Sequence, residues 1–221
     1  MKNNNYVVSW SGGKDGCMAC YHALEQGCNI TRLVNFISDK PNKVRFHGTD
    51  AKLIQMQSQA MGIELLQQVA SWEEYERDFK QTISDLKPRG VTGMVFGDIY
   101  LQEHLDWVQR VCSEIGVEAL EPLWGRDTGE LLSEFIDTGF EAVIICAKSE
   151  LLDREWIGRK VDRSFMDYLG AKGIDYCGEK GEYHTLVTGG PIFKQKIRLL
   201  ESETVAHDGY WLLEISGYEL A

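Results

Sequence analysis

Short apolar runs alternate with amphipathic segments through the first 120 residues of the chain. Continuous apolar runs of about 4–8 residues are typical of buried strands, whereas apolar positions spaced three and four apart are typical of helices. The pattern predicts strands at 6–10, 31–37, 63–69, 92–96 and 117–120. It predicts helices from the residues after Gly16 to Gly27, and at 50–61, 72–86 and 101–115. This alternation indicates an α/β fold with a doubly wound parallel sheet.

The pattern changes near Pro122. Asp127, with Glu130 three positions later, forms a capping box for a helix that ends near Asp137. A strongly apolar strand is predicted at 142–147, a helix at 161–170, and a strand from Tyr183 to Val187. The tail from 196 to 220 alternates in the manner of strands around a turn at 207–209. We therefore expect two domains, 1–122 and a smaller α+β domain at 123–221.

Composition narrows the class of protein. Hydrophobic residues make up 43% of the 221 residues, which excludes a disordered chain. No segment approaches the ~18 apolar residues of a membrane helix, and the first ten residues have no apolar signal-peptide core. We expect a cytoplasmic protein without a membrane partner. The net charge is 23 − 34 = −11 and basic residues never form a run of five, so nucleic acid is a disfavoured partner.

The strongest chemical motif is the loop Ser11-Gly12-Gly13-Lys14-Asp15-Gly16 between a strand and a helix. Such a loop can direct backbone N–H groups at an anion at the positive end of the helix. Lys14 adds a positive charge, and Asp15 could hold Mg²⁺. The alternative is a tight strand-to-helix turn without a ligand. The combination of residues favours phosphate binding.

This loop resembles the SGGxDS loop of the N-type ATP pyrophosphatases, the PP-loop enzymes. Those enzymes adenylate a substrate, release pyrophosphate and pass the activated group to a nucleophile. Gly16 stands where the family usually has Ser, so one hydroxyl that could contact phosphate is missing.

Two later segments resemble the diphthine–ammonia ligase family. Residues 122–127 are similar to its PLWGRD signature, and residues 178–185 to its GEGGEYHT element, with Lys180 in place of Gly. The resemblance implies an adenine nucleotide alpha hydrolase-like (HUP) domain and a family-specific substrate domain. It implies amidation of diphthine on elongation factor 2, with ATP and Mg²⁺ as cofactors and ammonium as nitrogen source. In a bacterial host another carboxylate would take the place of diphthine.

Glu182 and His184 are the candidate acid–base residues. On a strand, residues two apart share one face, so a carboxylate and an imidazole could together hold ammonium, accept its proton or bind substrate. Glu179 is a further substrate candidate. The alternative interpretation is a plain hairpin turn at 178–181 followed by a strand.

Three other positions could contribute to the site. The guanidinium of Arg126 suits a phosphate or carboxylate, whereas capping alone explains Asp127. Gly97 follows a predicted strand at its C-terminal end, where open α/β sheets bind ligands, and could let the nucleotide approach. His47 lies in the loop after the second strand, where a histidine is ordinarily just solvated.

Cys17 and Cys20 leave a rival function open. In sulfur-transferring PP-loop enzymes cysteines carry persulfide or hold a cluster, and thiols at a helix N-terminus have lowered pKa values. Packing of one helix face explains the same i, i+3 spacing. The alternatives to a ligase are therefore a tRNA sulfur transferase and a non-catalytic ATP- or AMP-binding regulator. The oligomeric state stays open, with a homodimer as one option.

Overall fold

A computed structural model describes residues 4–38, 50–71 and 73–221 of the chain. The chain divides into two compact units. The first consists of residues 1–11, 15–58 and 63–125, and the second of residues 12–14, 59–62 and 126–221. His47, and Trp72 at the predicted start of a helix, lie outside the described residues.

The first unit is built around a parallel five-stranded sheet. Its strands are β1 (Asn5–Ser9), β2 (Asn29–Ile37), β3 (Glu64–Val69), β4 (Gly93–Val95) and β5 (Glu118–Leu120). The helices of this part of the chain are α1 (Lys14–Glu25), α2 (Ala51–Met61), α3 (Tyr75–Leu86) and α4 (Gln102–Ile115). The sheet order is β3-β2-β1-β4-β5, and each pairing is parallel. The predicted doubly wound α/β fold is confirmed, and the strand order reverses between β1 and β4.

The amphipathic faces of α3 and α4 form one core with the sheet. Phe79 and Ile83 of α3 and Val111 of α4 are at most 1% exposed and belong to one apolar cluster with Val7 and Met94 of the strands. Parallel strands need such apolar side chains because helices cover them. The packing holds the C-terminal ends of β1 and β4 in place, where the loops at 10–13 and 96–101 begin.

The second unit contains an antiparallel sheet with the order β7-β6-β9-β8. Its elements are α5 (Thr128–Asp137), β6 (Glu141–Lys148), α6 (Arg163–Lys172), β7 (Tyr183–Gly189), β8 (Ile197–His207) and β9 (Tyr210–Leu220). The last two strands form a hairpin that turns at Asp208 and Gly209, both with positive φ. The predicted α+β character of this part, including the tail hairpin, is confirmed.

Side-chain caps set where two helices of the second unit begin. Asp127 accepts a hydrogen bond from the N–H of Glu130 at 2.9 Å, which confirms the predicted cap of α5. The helix predicted at 161–170 is wrong by two residues, because Asp162 is the cap and accepts from Phe165 N–H at 3.0 Å. The N–H of Val161 donates to the Ala142 carbonyl at 2.9 Å, so this apolar residue runs beside β6.

Other helices and strands begin or end at residues different from the predicted ones. The helix predicted from Asp50 begins at Ala51, because Asp50 Oδ1 accepts from Lys52 N–H at 2.8 Å in the manner of a cap. The strand predicted at 92–96 pairs only over Gly93–Val95. In the described parts of the chain, no helix combines the length and apolarity needed to cross a membrane.

Candidate functional site

Only residues 11–13 of the predicted loop lie between β1, which ends at Ser9, and α1, which begins at Lys14; the helix starts earlier than the predicted start after Gly16, so Lys14, Asp15 and Gly16 form its first turn. Gly12 has a φ of 87°, a left-handed conformation that a side chain disfavours. Asp15 lies in the first turn of α1, where a carboxylate complements the helix dipole. The predicted order of strand, glycine loop and helix is therefore present.

Gly97 contacts the backbone at the start of α1 directly. A Cβ built on Gly97 would lie 2.7 Å from the nitrogen of Gly16 and 2.8 Å from the carbonyl carbon of Asp15. A side chain at position 97 would meet backbone that cannot move aside. The sequence predicted that Gly97 could let a nucleotide approach; the close contact that the structure shows is with the backbone of Asp15 and Gly16 in the first turn of α1.

Lys14 is buried, at 3% exposure, and its contacts lie in the second unit. Its Nζ donates a hydrogen bond to the carbonyl of Cys177 and lies 5.1 Å from the ring centroid of Tyr183. Its backbone N–H donates to Thr185 Oγ1 at 3.0 Å. A carbonyl and an aromatic face both stabilise a cation without neutralising it. An ammonium has three N–H donors, so the bond to Cys177 is compatible with further bonds to phosphate oxygens.

A loop at residues 175–182, the 175–182 loop, precedes β7 and supplies the Cys177 carbonyl. Glu182 Oε2 accepts from the N–H of Lys180 at 2.9 Å. Lys148, the last residue of β6, donates from its N–H to the Glu182 carbonyl at 3.0 Å and from Nζ to the Lys180 carbonyl at 3.1 Å. Glu182 lies one residue before β7, so it closes the turn that the sequence left as the alternative interpretation.

His184 lies within β7 and is held in its neutral form. Burial, together with the nearby charges of Lys14 and Lys148, lowers the pKa of His184 to about 4. The imidazole is therefore neutral at physiological pH and can accept a proton, which an imidazolium cannot. The same lowered pKa makes His184 a weaker base than an ordinary histidine.

The other candidate side chains have partners of their own. Arg126 pairs with Glu134 of α5 at 2.8 Å, so its guanidinium is already bound to a carboxylate. The N–H of Glu179 donates to Asp175 Oδ1 at 3.2 Å, which fixes the backbone from which the Glu179 side chain projects.

Glu121 lies just after β5 and just before the segment at 122–127, and the sequence pattern did not indicate a role for it. Its Oε2 is buried and has no hydrogen-bond partner among the described residues. Burial raises the pKa of Glu121 to about 7, with the carboxylate of Asp98 as the second cause. Asp98 in turn lies 3.1 Å from Nδ1 of His104. Perturbed carboxyl groups beyond the C-terminal ends of parallel strands are candidates for function.

The six cysteines are all buried free thiols. Burial raises the pKa of Cys17 well above its ordinary value and that of Cys20 to about 12. These thiols are therefore far less reactive than the helix N-terminus alone would make them. Their environment favours the packing interpretation over a persulfide carrier.

Sequence reasoning missed Lys148, Thr185 and Asp175. Lys148 ends an apolar strand and carries no local signal of a role. Thr185 lies in the segment 178–185 that resembles the family element, but its hydroxyl accepts from the N–H of Lys14, which is 171 residues away in the sequence and could not be foreseen. Asp175, followed three residues later by Gly178, has the composition of a turn, which could have indicated that its side chain organises the loop.

Family comparison agrees with the architecture of both parts of the chain. Residues 4–119 match the family model described as diphthamide synthase N-terminal domain. Residues 127–220 match the one described as diphthamide synthase C-terminal domain. The chain belongs to the diphthamide synthase family, as its motifs suggested.

Named relatives agree over nearly the whole chain. A diphthine–ammonia ligase of Danio rerio is 28% identical over 221 residues, 89% of this chain and 87% of that protein. The diphthine–ammonia ligase of Homo sapiens is 27% identical, over 89% of this chain and 83% of that protein. A solved structure from Methanocaldococcus jannaschii, titled as a predicted subunit of tRNA methyltransferase, has a TM-score of 0.47 and 14% identity. It covers 84% of this chain and 97% of its own.

Proposed function

We propose that this protein is an ATP-dependent ligase that activates a carboxylate by adenylation and converts it to an amide with ammonia. The observation that carries the proposal is the glycine loop at the start of α1, with Gly97 packed on its backbone. Membership of the diphthamide synthase family and the names of the relatives support the same reaction class. Those names indicate diphthine, a carboxylate on elongation factor 2, as the first substrate to test.

The loop supplies what a triphosphate needs. Its N–H groups and the N-terminus of α1 favour negative charge. In this proposal ATP is held by Ser11, Gly12, Gly13, Lys14, Asp15 and Gly16, with Gly97 keeping the approach open. Asp15 would hold Mg²⁺, which would offset the charge of the phosphate oxygens.

The reaction balances in two steps. An oxygen of the substrate carboxylate forms a bond to the α-phosphorus of ATP while the bond to pyrophosphate breaks. Ammonia then forms a bond to the carbonyl carbon, AMP leaves with the shared oxygen, and one proton is removed from nitrogen. Activation is needed because a free carboxylate has no adequate leaving group. Catalysis rests mainly on held geometry and on stabilised charge.

Proton transfer is the proposed task of His184 and Glu182. The attacking nitrogen must give up one proton as the amide forms, and His184, kept neutral by burial and by two lysines, would accept it. Glu182 and Glu179 would hold ammonium or substrate through their carboxylates. Arg126 would contact the substrate carboxylate in exchange for its present partner Glu134.

The test uses the purified protein with ATP, Mg²⁺, ammonium and elongation factor 2 that carries diphthine. We expect AMP release together with a mass decrease of about 1 Da on the factor, the arithmetic of acid-to-amide conversion through an activated acyl group. Lys14→Ala and Glu182→Ala should abolish both signals. Lys172→Ala, which removes an exposed lysine of α6, and His207→Gln, at the hairpin turn, serve as controls that should keep them.

The outcomes separate the alternatives. ATP binding without AMP release on any carboxylate offered would contradict the ligase and favour a nucleotide-binding regulator. AMP release on a carboxylate other than diphthine would keep the reaction class and change the substrate. Equal losses in Lys14→Ala and Lys172→Ala would remove the loop lysine from the mechanism.

A further inference from the structure

Asp175 makes three hydrogen bonds with its side chain, all within the second unit. Oδ1 accepts from the N–H of Cys177 at 2.9 Å and from the N–H of Glu179 at 3.2 Å. Oδ2 accepts from Thr128 Oγ1, at the start of α5, at 3.1 Å. One carboxylate therefore fixes two peptide N–H groups of the 175–182 loop and ties the loop to a helix terminus.

The backbone of Asp175 fixes the peptide unit that carries the Gly178 N–H, which lies between the Cys177 and Glu179 N–H groups held by its side chain. Its carbonyl accepts from the N–H of Gly178 at 3.2 Å. A peptide unit is planar, with its N–H and C=O pointing in opposite directions. The bond to the Gly178 N–H therefore sets the direction of the Cys177 carbonyl. Three consecutive peptide units, ending at Cys177, Gly178 and Glu179, are held by a single residue.

That carbonyl is the one that receives the ammonium of Lys14. Lys14 has a long flexible side chain, and its rotamers must be restricted before its charge can act at one place. The Tyr183 ring, 5.1 Å from Nζ, is oriented through the same loop, because Tyr183 donates from its hydroxyl to the Tyr176 carbonyl. The position of Nζ thus depends on the conformation that Asp175 imposes.

We propose that Asp175 is a positioning residue for Lys14, acting through the peptide between Cys177 and Gly178. The proposal deepens the proposed function, because Lys14 is assigned there to the phosphates of ATP. The role is geometric: what matters is that the two terminal atoms of the side chain stand where they can hydrogen-bond the loop N–H groups and the Thr128 hydroxyl, and not that the group is charged.

Three substitutions separate geometry from charge. Asp175→Asn keeps Oδ1 as an acceptor, and its amide can donate to the Thr128 hydroxyl, so the loop should keep its conformation. Asp175→Glu keeps the charge but moves the acceptors by one methylene. Asp175→Ala removes both. A geometric role predicts that Asn resembles the native residue and that Glu resembles Ala.

The first measurement is independent of the proposed function. Lysine acylation of the native protein is followed by mass spectrometry, together with alkylation of Cys146, which is buried in β6 of the same unit. Lys14 should be protected in the native protein and in Asp175→Asn. In Asp175→Ala and Asp175→Glu its acylation should rise at least tenfold relative to Lys172, while Cys146 stays slow.

Two results would overturn the proposal. One is unchanged protection of Lys14 in Asp175→Ala. The other is acylation of Lys14 that rises only in step with alkylation of Cys146, since this would show loss of the fold and not loss of position.

A second measurement tests the link to ATP. Calorimetric titration with ATP is done on Asp175→Ala, Lys14→Met and the double variant. If Asp175 acts through Lys14, the double variant binds ATP no more weakly than Lys14→Met alone, while the single Asp175→Ala shows a loss of comparable size. A further loss in the double variant would contradict that route. Unchanged affinity in Lys14→Met would remove Lys14 from ATP binding, yet the acylation result would still decide the positioning role.

Discussion

Gly97 and Gly16 pack so closely that a Cβ on Gly97 would stand 2.7 Å from the Gly16 nitrogen. Gly97 lies in the connection after β4, and Gly16 lies in the first turn of α1, the helix that follows β1. Their contact fixes the first turn of α1 against the end of β4. The requirement for glycine at position 97 therefore comes from the backbone of the proposed phosphate loop.

We expect Gly97→Ala to lower the stability by about 1–3 kcal/mol, as overpacking against backbone does, and to weaken the thermal stabilisation by ATP. Gly16→Ala is the matched control for stability alone, because a Cβ there would be 3.4 Å from the Ser9 carbonyl oxygen, an ordinary contact. Thermal melts of both variants without ATP, and of Gly97→Ala and the native protein with ATP, check the prediction. An equal loss of stability in the two variants would contradict it.

Gly178 and Gly181 form a second matched pair, within the 175–182 loop. Both have positive φ, at 67° and 75°, but a Cβ on Gly178 would lie 2.8 Å from the Tyr183 ring, whereas one on Gly181 would meet nothing within 4 Å. We expect Gly181→Ala to cost about 1 kcal/mol from the backbone alone, and Gly178→Ala to cost more. Only Gly178→Ala should deprotect Lys14 against acylation. Deprotection of similar size in both variants would show that the Tyr183 contact is unimportant.

His184 should make the protein less stable in mild acid. Its pKa in the folded protein is about 4, below the ordinary 6.5, so the unfolded chain binds the proton more readily. The free energy of unfolding therefore falls as the pH drops from 6.5 through 4. At pH 5 the loss relative to pH 8 should be about 1–2 kcal/mol, and replacing the imidazole should remove it.

The measurement compares melting temperatures of the native protein and His184→Gln at pH 8 and pH 5. The melting temperature of His184→Gln minus that of the native protein should be about 2–6 °C larger at pH 5 than at pH 8. His207→Gln, at an exposed position of the hairpin, should show no such gain. A constant difference between the native protein and His184→Gln at the two pH values would refute the buried neutral state.

Glu121 should have the opposite pH dependence. Its pKa in the folded protein is about 7, above the ordinary 4.5, so the folded protein keeps the proton longer than the unfolded chain does. Stability is then lost as the pH rises from 4.5 through 7. Glu121→Gln should melt higher than the native protein at pH 8, with a smaller difference at pH 5. Glu103→Gln, on the exposed side of α4, is the control; a matching pattern there would point to net charge as the cause.

The sequence predicted the elements well where burial follows a regular period. The apolar spacing of Phe79 and Ile83 located α3, and the same positions are buried in the core. The prediction failed at the start of α6, because Val161 is buried while its backbone bonds to Ala142 of β6 and lies outside the helix. A periodic pattern records that a residue is buried, but not which element buries it.

The candidate site was predictable in its local part only. In the segment from Ser11 to Gly16, Gly12 has the left-handed backbone conformation that favours glycine, so the residue types there predict the local conformation. The partners of Lys14 could not be predicted, since Cys177 is 163 residues away and contributes a main-chain carbonyl, which has no residue signature. Similarly, spacing suggested that Glu182 and His184 share a strand, whereas Glu182 closes the preceding turn through Lys180.

The hydrogen bond from Lys14 N–H to the Thr185 hydroxyl also has a consequence for biosynthesis. The two residues are 171 positions apart, which a ribosome working at about 5–20 residues per second covers in roughly 10–30 s. Val187, whose N–H bonds to the Gly12 carbonyl, is synthesised later still. A nascent chain therefore carries its glycine loop without these partners until β7 has been translated. The hydrogen bonds of Gly12 and Lys14 to β7 can form only after that point.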